Sequence, residues 1–99
     1  MSIKVPLSKP ITVGDAEIKE LELREPGVED VIELGYPYLM IVGEGETKME
    51  MRPKVVVKYV SKLAAVPPSS IKKLSIADLS RLNGVVMDFF GDEAETSQT

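Results

Sequence analysis

The sequence predicts an α+β domain: an N-terminal antiparallel β-hairpin, a short helix, a second β-ribbon or a mobile loop, and two amphipathic C-terminal helices packed on the sheet. Three observations predict it. Short apolar-alternating runs flank the turn pair Gly14-Asp15, the pattern of a half-buried hairpin. Apolar residues recur at spacings of three and four over Val55–Ala64 and again over Ile76–Phe90, the pattern of one-sided helices. The chain has 99 residues, which suits one core and not two. That core is placed in a single domain over residues 1–91, followed by a disordered acidic tail, DEAETSQT, over 92–99.

In the first strand Ile3, Val5 and Leu7 share a side. Pro6 restricts that strand to an edge or an irregular position, because proline donates nothing to a ladder. In the returning strand Leu21 and Leu23 alternate strictly, but Ile18 is out of phase by one. Either a bulge sits near Lys19-Glu20 or Ile18 belongs to the turn. Pro26 and Gly27 then open a short helix with Glu29 and Asp30 in its first turn, where the helix dipole favours negative charge. Val28, Val31 and Ile32 share one face of it, and Gly35 stops it.

Residues 36–51 admit two readings. One is a ribbon of YLMIV, a GEGE turn and TKMEM; the other is a mobile loop, since so short a ribbon does not fix its own register. Pro53 suits the first turn of the next helix. Its apolar face is Val55, Val56, Tyr59, Val60, Leu63 and Ala64, with Lys54, Lys58 and Lys62 on the other side. It ends at Pro67-Pro68, because a residue before proline avoids helical geometry. A single turn follows, with Ile71 and Leu74 inward. Ser75 caps the last helix, and Asp78 three residues on completes a box-like start. The expected buried stripe there is Ile76, Leu79, Leu82, Val86, Phe89 and Phe90, with Gly91 as the stop. Gly84 in mid-helix costs about 1 kcal/mol against Ala and would let another helix approach closely.

Composition excludes several functions. Cysteine and histidine are both absent, which removes disulfides, the usual zinc sites and the Ser-His and Cys-His nucleophile arrangements. The expectation is a protein with no catalytic residues, no metal and no cofactor. The net charge is −4, divided as −6 over residues 1–50 and +2 over residues 51–99. The acidic total argues against a nucleic-acid binder. Glu20, Glu22, Glu25, Glu29, Asp30 and Glu33 form an acidic band without the pattern of a calcium loop, read as a solvated face. No apolar run is long enough for a signal peptide or a membrane span, so the cytoplasm is the expected compartment.

The joint order of pieces resembles a known family. Leu23, Arg24, Pro26 and Asp30 make the step from strand to short helix, where Arg24 is placed for a structural pairing with Asp30 or Asp78. Val66 and Pro67 end the long helix, Leu74, Asp78 and Leu79 open the last one, and Phe89-Phe90 closes it. Over roughly Ile11 to Phe90 this is similar to the tail assembly chaperones of contractile-tailed phages and Mu-like prophages. The chain departs from that pattern at Gly27, where the family often has Thr or Ser; glycine caps nearly as well. The resemblance implies a non-enzymatic chaperone in the cytoplasm of the bacterial host. Its partner would be the tape-measure protein, held soluble before the tail tube forms around it.

An apolar helical client needs an adaptable surface, and methionine is unbranched and polarisable. The candidate client-binding residues are Tyr36, Tyr38, Leu39, Met40, Ile41, Met49 and Met51. The competing readings are that they are core, or that they meet a second copy. The basic stripe Lys54, Lys58 and Lys62 could contact phosphates or an acidic partner, or form a solvated face. Other readings of the whole chain are a structural or adaptor protein of the tail and a small nucleic-acid-associated regulator.

Overall fold

The computed structural model describes the backbone of residues 2–97 and the side chains of residues 2–91. Strands β1 (Ser2–Val13) and β2 (Ala16–Arg24) pair antiparallel, from Ser2 with Arg24 to Val13 with Ala16. Gly14, at φ 62°, makes the tight reversal between them. The phase slip at Ile18 is a bulge, and β1 carries the extra residues. Pro6 pairs with Glu20 and Ile11 with Ile18, so residues 7–10 stand opposite Lys19 alone.

Helix α1 (Val28–Leu34) starts at Gly27 and stops at Gly35, which takes φ 80°. Strands β3 (Tyr38–Gly43) and β4 (Glu46–Met51) form a second antiparallel ribbon. Helix α2 (Pro53–Ala64), the turn α3 (Pro68–Ile71) and helix α4 (Ile76–Ser97) complete the chain. Helix α2 packs on β2, α1, α3 and α4, and α4 packs on β1. The core between them holds Val5, Leu21, Leu23, Val55, Val56, Tyr59, Val60, Leu63, Ile71, Leu82, Val86 and Phe90.

The last helix departs from its expected course in three ways. Its most deeply buried line is Asp78, Leu82, Val86 and Phe90, at successive spacings of four. Ile76 lies about 200° around the helix from Asp78 and is 85% exposed, outside the buried stripe. Gly84 is exposed with nothing near the position of a Cβ, so among the described residues no helix packs against it. The helix also passes through Gly91 to Ser97. One internal glycine costs about 1 kcal/mol, too little by itself to stop a helix without a left-handed cap. The tail placed at 92–99 otherwise lies outside the described residues, in its side chains throughout and wholly at 98 and 99.

Two aspartates fasten the frame. Asp78 is fully buried and accepts the Ser8 N–H at 2.9 Å, the Ser8 hydroxyl at 2.9 Å and the Lys9 N–H at 3.1 Å. These donors sit in the β1 bulge, whose extra residues turn their N–H groups away from β2. Arg81 donates to the Pro6 carbonyl at 2.8 Å. Ser75 caps as expected, its hydroxyl accepting the Asp78 N–H at 3.1 Å. The Asp78 carboxylate, however, reaches the first strand instead of closing a box on its own helix. The bulge N–H groups hold its pKa down at about 2, against the upward push of burial.

Asp30 plays the same part at the other end. Arg24 grips it with two parallel bonds, Nη1 to Oδ2 at 2.9 Å and Nη2 to Oδ1 at 3.0 Å. The Gly27 N–H adds a third bond at 2.8 Å and Lys62 Nζ lies 3.2 Å away. Its pKa is held well below the carboxylate range, chiefly by Arg24. One member of the acidic band is therefore a buried anchor and not part of a solvated face.

Candidate protein-binding surface

The second ribbon is the most exposed apolar part of the described chain. Its register pairs Tyr38 with Met51, Met40 with Met49 and Val42 with Thr47. Directly opposed residues share a face, so Tyr38, Met40, Val42, Thr47, Met49 and Met51 form one. Met40 is 56% exposed, Met49 57% and Val42 78%. The opposite face holds Leu39 and Ile41 among Glu46, Lys48 and Glu50. Apart from Tyr38, which is half-buried against the core, the ribbon residues are exposed on both faces among the described residues.

An aromatic cluster joins the ribbon to the body. Phe90, buried on α4, lies 6.2 Å from the Tyr38 ring, 6.0 Å from Tyr36 and 5.4 Å from Tyr59, each edge to face. Tyr36 in turn lies 5.6 Å from Tyr38. The Tyr59 hydroxyl donates to the Gly35 carbonyl at 2.6 Å and so fixes the end of α1 beside this cluster. Burial raises the Tyr59 pKa and keeps that hydroxyl a donor.

Beyond Tyr36 the apolar surface continues into a groove of about 600 Å³, between α1 and the Phe89-Phe90 stretch of α4. Val28, Val31 and Ile32 line one side, Phe89 and Phe90 the other. Val28 is 76% and Ile32 78% exposed. The cause is local. Asp30 is pinned inward by Arg24, and Val28 and Ile32 each lie two residues, about 200°, around the helix from it. The shared face of Val28, Val31 and Ile32 thus looks out into the groove. Val28, Ile32 and Phe89 are the candidate residues that periodicity alone assigns to a core. The signal for them is the Arg24–Asp30 spacing, which orients the helix.

All seven candidate residues, Tyr36, Tyr38, Leu39, Met40, Ile41, Met49 and Met51, lie on the ribbon or its base. Leu39 and Ile41 face away from the methionines. The lysine stripe is divided. Lys54 and Lys58 are exposed, whereas Lys62 is paired with Asp30 and Glu33 and ties α2 to α1. Among the described residues no helix is long and apolar enough to cross a membrane.

Comparison with known proteins agrees with this architecture. No curated protein and no solved structure matches the chain significantly. The model of the family described as phage tail assembly chaperone proteins, E, or 41 or 14, matches residues 4–91. That span takes in both hairpins, the groove and both anchoring aspartates, and the family is non-enzymatic. The strand-to-helix step, the exposed ribbon and the phenylalanine pair of α4 thus lie in a chain that belongs to the phage tail assembly chaperone family.

Proposed function

We propose that the chain binds the tape-measure protein in the cytoplasm of the bacterial host and keeps it soluble until the tail tube is built around it. Family membership supports a tail protein as partner. The observation that carries the reading further is the exposed face of Met40, Val42, Met49 and Met51. Large exposed apolar patches mark binding surfaces, and methionine adapts to irregular apolar partners. A tape-measure helix buries its apolar stripe against this face and against the groove of Val28, Ile32 and Phe89. Release requires no chemistry. The net charge of −4 keeps such a complex from associating further. The regulator reading loses support because Lys62, one-third of the basic stripe, is committed to ion pairs within the fold.

The test is co-production of the tape-measure protein with this chain, followed by partition into soluble and pelleted fractions. Wild type should hold the tape-measure protein in solution. The double variant Met40→Asp, Ile41→Asp should leave it in the pellet while melting close to the wild-type temperature. A virion structural role predicts instead that mass spectrometry finds the chain in finished particles, where a chaperone is missing.

A further inference from the structure

The free edge of β4 is self-complementary. The Arg52 N–H donates to the Pro37 carbonyl at 2.9 Å, so the Arg52 backbone faces β3. Such directions alternate along an antiparallel strand. With Glu50 opposite Leu39, Lys48 opposite Ile41 and Glu46 opposite Gly43, these three also face β3. The N–H and C=O groups of Thr47, Met49 and Met51 therefore point outward from β4, with no strand beyond them among the described residues.

We propose that a second copy of this chain pairs antiparallel along that edge, centred on Met49, to make one four-stranded sheet in the order β3-β4-β4-β3. Charge and strand overlap together select this register. Centred on Met49, Lys48 stands opposite Glu50 of the second copy and Glu46 opposite Arg52, and the two-fold axis repeats both pairs. Centred on Lys48, that lysine meets itself and Glu46 meets Glu50. Centred on Glu50, that glutamate meets itself and Lys48 meets Arg52. Centred on Thr47, Glu46 meets Lys48 favourably, but only residues 46–48 of the two strands overlap and Glu50 falls opposite Glu44 of the turn. Like charges directly opposed are destabilising, and opposite charges contribute. The exposed Lys48–Glu46 contact at 3.3 Å within one strand is weak competition.

Two further observations favour a second copy. A lone two-stranded ribbon is marginal in water and needs a third strand or a cover, and this ribbon has neither among the described residues. The antiparallel arrangement also sends the two helical bodies to opposite ends of the joined sheet. Six strand residues (Glu46–Met51) hold them roughly 20 Å apart, so they do not collide. The methionine faces then merge, Met49 beside Met49, into a continuous platform twice the width of one ribbon. The pairing stands whether or not the tape-measure protein is the client.

The test is sedimentation of the full chain at low salt. Wild type should sediment at twice 10.9 kDa. Lys48→Glu alone and Glu50→Lys alone should each fall to monomer, with unchanged far-ultraviolet circular dichroism. An equimolar mixture of these two variants should return to the dimer mass, because each supplies the charge the other needs. A monomeric wild type, single variants that stay dimeric, or a mixture that stays monomeric would each overturn the proposal.

Discussion

The rings of Tyr38 and Phe90 meet edge to face 6.2 Å apart, at 74°. Through this contact the uncovered ribbon is fastened to the buried core, since Phe90 also packs on Tyr59 of α2. Phe90 is 4% exposed and has aromatic neighbours on three sides. Phe90→Ala should cost about 3 kcal/mol in urea unfolding, as buried aromatic truncations do. Tyr38→Ala should cost about 1 kcal/mol. It should also speed amide exchange over residues 38–51 far more than in the first hairpin.

Arg24 holds Asp30 by two parallel bonds, and Asp30 sets which way α1 faces. Arg24→Ala should destabilise by about 2 kcal/mol, the range for bonds to charged groups, because Lys62 and the Gly27 N–H remain with Asp30. Arg24→Lys should recover little of that loss, since an ammonium cannot make the fork. Urea midpoints for the two variants check both statements.

The anchoring aspartates make the fold sensitive to acid. Both carboxyls have folded pKa values below the ordinary value of 3.8, Asp78 at about 2 and Asp30 also lowered. The unfolded chain therefore takes up protons first as pH falls. The stability they contribute is fully present above about pH 5 and drains away through and below pH 4. Thermal midpoints should be level from pH 7 to pH 5 and fall steadily toward pH 2. Asp78→Asn should melt lower than wild type at pH 7 and lose less on acidification.

How much of this was legible in the residues differs from element to element. The first hairpin and the long helices follow from periods of two and 3.6, because one side of each is buried. The slip at Ile18 left open a bulge near Lys19-Glu20 or a place for Ile18 in the turn; the bulge forms, with its surplus on the facing strand. A phase change shows that pairing counts differ, not which strand holds the surplus, and residues 7–10 of β1 hold it. The ribbon's pairing was legible in Thr47, Met49 and Met51, but its exposure was not. Alternation says which residues share a face and nothing about what covers it. Asp30 reads as one acidic residue of a band, and of the two partners open to Arg24, Asp30 and Asp78, only the fold picks Asp30. For that reason the groove face of Val28 and Ile32 was missed. Asp78 was legible as a helix-start residue, but its bonds to Ser8 and Lys9 span some 70 positions, beyond any local pattern.

The groove and the ribbon contribute separately to the apolar surface. Ile32→Asp should change stability by no more than about 0.5 kcal/mol, as exposed substitutions do. It should nonetheless lower the fraction of tape-measure protein kept in solution. Lys54→Glu, on an exposed part of α2 away from that surface, should leave the soluble fraction unchanged.

The most direct test of the binding surface is hydrogen exchange on the chain alone and in its complex with the tape-measure protein. The new protection should concentrate in residues 38–51 and at Val28–Ile32. Protection confined to the exposed lysine side of α2, with the methionine ribbon exchanging as fast as in the free protein, would contradict it.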